Sequence, residues 1–206
     1  SLVSVADNGI VADDAIREHV SPEQLGALPA SFEDALAQAR PLLNKAGIEL
    51  ESALHSAGNS PALVDGASLV LLASEHACEQ HQLTPRARVR HFSNASGDPI
   101  VMLTGHILAT EKLLKATGLK ASDIDLWEIN ESFAASVLNY QQHFAIADDS
   151  LNVNGGAIAM GHPLGATGGI LLGTLLDEME RRDLKRGVLA IPGGAGVGVA
   201  TLIERD

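Results

Sequence analysis

Asn152-Val153-Asn154-Gly155-Gly156-Ala157-Ile158-Ala159-Met160-Gly161-His162-Pro163-Leu164-Gly165-Ala166-Thr167-Gly168 is the stretch on which the reading of this sequence turns. Glycines and small apolar residues surround a single imidazole, which is fixed between Gly161 and Pro163. Glycine permits tight turns and close packing, and the apolar residues that follow predict a helix over 170–182. The stretch therefore leads into a helix through a glycine-rich loop. Gly155-Gly156 does not make the G-x-G-x-x-G dinucleotide fingerprint. A histidine between glycine and proline is either a rigid turn residue or an imidazole aimed at a ligand, and this stretch alone leaves both open.

Working outward, Ser122-Asp123-Ile124-Asp125 introduces a short strand, Leu126-Trp127-Glu128-Ile129, which ends at Asn130. A helix is predicted over 131–144. On the other side, strands over 188–191 and 197–203 flank Pro192-Gly193-Gly194-Ala195-Gly196-Val197-Gly198. Further upstream an alternating run predicts a strand over 87–92. Ile107, Leu108, Leu113 and Leu114 have helical spacing, with Gly118 as the C-cap. The order strand, helix, strand, helix, helix, strand, strand describes a layered α/β domain with a mixed sheet. Asn130, the His162 stretch and the last glycine loop all fall where strands end and turns begin, the usual place for chemistry in such folds.

The first 64 residues read as less regular. A strand is expected over 2–6, and Ser31 with Asp34 resembles a capping box opening a helix that Pro41 brings near its end. Small and polar residues, Ser56-Ala57-Gly58-Asn59-Ser60-Pro61, then form a loop. From Asp65 the chain becomes small and apolar on every side, Gly66-Ala67-Ser68-Leu69-Val70-Leu71-Leu72-Ala73, and is expected to run as a helix to about His81. A helix apolar all round needs a layer on each side of it.

Hydrophobic residues make up 46% of the chain, enough for a sizeable core, and the net charge is −12. That charge disfavours nucleic acid and anionic lipid as partners. The lone Cys78 excludes an internal disulfide, fits a reducing, cytoplasmic setting, and is expected as a buried, inert thiol. No signal peptide and no apolar run of about 18 residues stands out, so no membrane span is expected. The sequence opens at Ser1 without a methionine, and it is expected to be part of a longer protein.

In their order and spacing the three chemical segments resemble the C-terminal catalytic segments of the thiolase family. The resemblance runs without an obvious gap over 104–204, and more loosely back to Ser1 through Ala57-Gly58-Asn59 and Asp65-Gly66-Ala67. It implies the thiolase fold, layered αβαβα with mixed five-stranded sheets, of which this chain is the C-terminal half. Residues 1–64 would be the tail of the inserted loop domain. Residues 65–84 would be the apolar helix packing on the missing N-terminal half, and 85–206 the C-terminal domain.

The resemblance also implies roles. His162 would activate a nucleophilic cysteine and help bind the thioester oxygen. Asn130 would hold a water that completes that oxyanion site, and Gly194 would offer a backbone N–H to a second thioester oxygen. Ala57, Ser60 and Phe133 would lie along coenzyme A. The reaction would be carbon–carbon bond cleavage or formation between 3-ketoacyl-CoA and acetyl-CoA. Coenzyme A thioesters would be substrates, with no separate cofactor and no metal. The protein would be a homodimer or homotetramer.

Two departures bear on that activity. Pro192 stands where the family has its acid/base cysteine, and proline has neither an ionisable group nor an N–H. The family's nucleophilic cysteine falls in the N-terminal half, and Cys78 does not match it. A lesser departure is Pro61, which stands where relatives often carry a serine. Impaired thiolysis is therefore expected, with Glu131 or His106 as the other candidates for moving the proton. An aldol-type lyase or thioester hydrolase on the same fold is one alternative. A catalytically silent binding or assembly subunit is another.

Overall fold

Side chains alternate along the closing strands, and this alternation decides which layer each face of the sheet meets. A computed structural model describes residues 16–206, so the strand expected over 2–6 lies outside the described residues. Four strands form one sheet among them: β1 (Arg88–Ser96), β2 (Leu126–Ile129), β3 (Arg186–Pro192) and β4 (Val197–Glu204). Their order is β1-β4-β3-β2, with β2 and β3 parallel and the other pairs antiparallel. The sheet is mixed, as its pattern predicts.

One face carries Trp127, Ile129, Val188, Ala190, Ala200 and Leu202, packed against helices α4 (Gly105–Thr117) and α5 (Ala134–Phe144). The other face carries Leu126, Leu189 and Ile203 against Leu171, Leu175 and Met179 of α7 (Thr167–Arg181). Gly118, at φ 72, ends α4 as its C-cap. The sheet is thus covered by helices on both faces. Helix α7 belongs to the crossover between parallel neighbours β2 and β3, so it runs back along them and its N-terminus lies at their C-terminal edge. In keeping with this, a Cβ on Gly168 would sit 3.6 Å from Ile191, near the end of β3.

Five strands are implied by the family resemblance. Beyond β2 the described residues give only a single parallel bridge, Trp127 to Leu151. The Asn152 side chain continues it: its oxygen accepts from the Ile129 N–H at 2.7 Å and its nitrogen donates to the Ile129 carbonyl at 2.9 Å. A carboxamide has the donor and acceptor of a peptide group, so here it substitutes for one more residue of strand.

Three expectations are corrected. Residues 66–74 are not helical and form no regular element, and only Glu75–His81 forms a helix (α3), with Ser74 Oγ capping the Ala77 N–H. A run that is apolar all round fits a strand between two layers as well as a helix, and no periodicity separates them. The neighbours settle it: Leu63 bridges to His162, and Ser68 donates to the Ala166 carbonyl at 2.9 Å, which stretches the chain along the His162 loop. Leu69, at 98% exposure, and Leu71 and Leu72 find no cover among the described residues.

Ser31 does not cap a helix. Helix α2 (Glu33–Lys45) begins after Phe32 in a left-handed conformation (φ 69), and Pro41 lies inside it. The Phe32 ring meets Phe133 and His55 instead. The true capping box is at Ser21 and Gln24, opening α1 (Pro22–Gly26). Cys78, on α3, is half-buried rather than buried.

Candidate active site

His162 is held from three sides. Gly161 before it has φ 93, a conformation glycine adopts freely, and a Cβ there would come within 2.4 Å of Val64. The His162 N–H donates to the Ala62 carbonyl at 2.8 Å. Its Nδ1 lies 2.8 Å from Oγ1 of Thr167, the first residue of α7. Burial lowers the imidazole pKa below its ordinary value, so the ring is neutral at pH 7. With Nδ1 engaged, Nε2 is the nitrogen left to accept or give a proton.

Asn130 follows β2 and is 1% exposed. Its N–H donates to the Ala190 carbonyl of β3 at 2.9 Å, which extends the parallel pairing by one residue. Its Nδ2 donates to Ser132 Oγ at 3.0 Å, while Oδ1 is buried with no partner among the described residues. Two residues past Ala190, the buried Pro192 ends β3 opposite Gly198. The loop then turns through Gly194, whose exposed amide meets no acceptor among the described residues. Gly105 and Gly198 let α4 approach this loop closely: a Cβ on Gly198 would lie 2.0 Å from the His106 nitrogen. A cavity of about 410 Å³ opens beside it, lined by Asn94, Ser96, Ile191, Pro192, Gly193 and Val199.

These segments emerge at one place, the C-terminal edge of β2 and β3, where α7 also begins. Glu131 ties two of them together. Its carboxylate accepts from Asn152 Nδ2 at 3.2 Å and from the Ile158 N–H at 2.9 Å, at the short helix α6 (Ala157–Met160) that precedes His162. Farther along, Asn154 Nδ2 donates to the buried Glu178 of α7 at 3.2 Å. Arg181, with Asn154 and Arg182 assisting, holds the Glu178 carboxyl down at about 2.

The loop that carries Ala57 and Ser60 lies beside the start of α5, where Phe133 stands. The Asn59 carbonyl accepts the Ala134 N–H at 3.0 Å, seating the loop beside Phe133 at the start of α5. Asn59 organises that loop, its Oδ1 accepting from the Ser56 N–H at 2.9 Å and from Ser60 Oγ at 3.3 Å. The His55 and Phe133 rings lie 4.2 Å apart beside it. Residues 59–63 therefore run from the start of α5 to the His162 backbone.

The two other candidates for moving a proton are both tied into the fold. His106 is fully buried, stacked on Tyr140 at 4.9 Å, and burial holds its pKa at about 4. Both Glu131 oxygens already accept hydrogen bonds within the fold. Sequence reasoning did not single out Thr167, Asn59, Asn152 or Ser132. The available signal was only a polar side chain inside each quoted motif.

The edge thus offers a neutral imidazole, an orphan buried acceptor and a free loop amide. The described residues hold no cluster of metal-ligating side chains, and no helix among them is long and apolar enough to cross a membrane. Residues 83–205 match the family described as thiolase, C-terminal domain. The chain is 41% identical over 177 residues to an acetyl-CoA acetyltransferase of Thiocystis violacea, a match covering 86% of this chain and 43% of that protein. Its structure is similar to the crystal structure of the Bacillus anthracis acetyl-CoA acetyltransferase, with a TM-score of 0.79, 32% identity, and coverage of 93% of this chain and 44% of the other. It is also similar to human mitochondrial 3-ketoacyl-CoA thiolase in complex with CoA, with a TM-score of 0.77, 31% identity, and coverage of 94% and 45%. The chain spans less than half the length of the relatives it matches.

Proposed function

This chain belongs to the thiolase family, and from that premise we propose that the whole protein is an acyltransferase acting on coenzyme A thioesters. The observation that carries the reading is the convergence of His162, Asn130 and Gly194 on the C-terminal edge of the parallel pair β2 and β3. In this reading Nε2 of His162 takes the proton of a cysteine supplied by the other half of the fold. It then donates to the thioester oxygen, where a water held by Asn130 is the second donor. The Gly194 N–H faces a second thioester oxygen. The 57–60 loop and Phe133 take the pantetheine arm. Residues outside this chain complete the fold and cover the exposed leucines of 66–74.

Pro192 favours a second reading. It is buried at the end of β3 and has no group to carry a proton, while His106 is buried in the core and the Glu131 carboxylate is engaged by Asn152 and Ile158. An aldol-type lyase or a thioester hydrolase would use the same oxyanion donors without a second cysteine. The deciding experiment is thiolysis of acetoacetyl-CoA and longer 3-ketoacyl-CoAs by the whole protein and its Pro192→Cys variant. Weak thiolysis that rises on introducing cysteine supports an acyltransferase with an impaired proton shuttle. Robust thiolysis without gain refutes the role given to position 192. Coenzyme A binding with no turnover in either protein points to the silent subunit.

A further inference from the structure

We propose that Ser132 is a positioning residue that fixes the Asn130 carboxamide with its nitrogen engaged and its oxygen left free to accept; the proposal rests on the oxyanion role given to Asn130 above. Asn130 is held twice by this one residue. Its main-chain carbonyl accepts the Ser132 N–H at 3.0 Å, and its side-chain Nδ2 donates to Ser132 Oγ at 3.0 Å. Any residue other than proline at 132 could make the first bond, but only a side-chain acceptor makes the second.

The second bond decides which end of the amide is presented. The carboxamide's terminal torsion has two similar wells half a turn apart, so an amide with no partner can show either oxygen or nitrogen. With Nδ2 engaged by Ser132, Oδ1 is left as a buried acceptor without a partner, a state that native structures rarely leave unanswered. A water there donates one O–H to Oδ1 and keeps the other for the thioester oxygen. A water facing the nitrogen would accept an N–H instead, and nothing would aim its own two O–H groups. Ser132 therefore sets the polarity of the oxyanion site without touching substrate.

The test measures binding, so it does not depend on turnover. The whole protein is titrated calorimetrically with an acetyl-CoA analogue whose thioester sulfur is replaced by methylene, which keeps the carbonyl. It is titrated in parallel with S-ethyl-CoA, which lacks the carbonyl oxygen. Wild type is expected to prefer the carbonyl analogue. Ser132→Ala should shrink that preference by about two- to tenfold, the scale of one neutral hydrogen bond, and Ser132→Thr should restore it. If the preference exists and survives in Ser132→Ala, the positioning role is wrong while the oxyanion site stands. Equal loss of both ligands in Ser132→Ala overturns it as well, because it would indicate a general packing role. If wild type shows no preference, or binds neither ligand, the oxyanion reading itself fails and this proposal fails with it.

Discussion

Nδ1 of His162 and Oγ1 of Thr167 stand 2.8 Å apart, which makes the first residue of α7 the partner that orients the imidazole. Thr167 is buried, and the helix behind it packs on β2 and β3, so the ring is referenced to the sheet rather than to its own loop. Thr167→Val keeps the shape and removes the hydrogen bond. We expect kcat to fall by about tenfold with a smaller change in KM, since a ring free to turn is lost mainly when charge develops. Steady-state kinetics on the whole protein check this. A variant as fast as wild type would leave Thr167 a packing residue only.

Glu131 should matter for stability before it matters for chemistry. Its carboxylate accepts from Asn152 and from the Ile158 N–H, so Glu131→Ala leaves a backbone donor unanswered at the head of α6. The expected cost is about 2 kcal/mol by urea denaturation, with Glu131→Gln costing less because an amide oxygen still accepts. Equal stability of all three proteins would show that water replaces the carboxylate without loss.

Glu128 predicts a pH dependence of the opposite sign to that of a salt-bridged acid. It lies 2% exposed on β2, and burial first, then the neighbouring Glu131, pushes its pKa from an ordinary 4.5 up to about 8. Between those values the folded protein holds a proton that the unfolded chain has released, so stability falls as pH rises through the window. Glu128→Gln keeps the neutral shape and removes the titration. The variant should gain up to about 5 kcal/mol over wild type at pH 8–9 and little at pH 4–5. Parallel urea midpoints across the range would contradict this.

The C-terminal edge of β2 and β3 is legible because its segments lie in contiguous motifs at strand ends. The roles expected there for Asn130, His162 and Gly194 are implied by the family resemblance. The strands fared equally well, since alternation and the turns around 193–196 mark them. What did not show was whatever depends on contacts between distant segments. Thr167, Ser132 and Asn59 act through bonds that no single motif displays. Phe32, not Ser31, precedes α2, and its ring meets Phe133, about a hundred residues later. Residues 66–74 were misread because an uninterrupted apolar run has no period to measure.

That non-helical run sets a length as well as a contact. At about 3.3 Å per residue, the stretch 66–74 reaches roughly 30 Å, twice what a helix of those residues would span. One end is fixed at the C-terminal edge of β2 and β3, where a Cβ on Gly66 would come within 2.6 Å of Pro163. Just past the other end, Glu75 pairs with Arg88 at 3.7 Å, at the start of β1 and the opposite edge of the sheet. The segment therefore crosses from one edge of the sheet to the other and is tied at both ends. An added or deleted residue in it would shift its side chains against those two anchors, whereas the loop 47–54 can absorb the same change locally. Of the two, 66–74 is where a change of length should cost more.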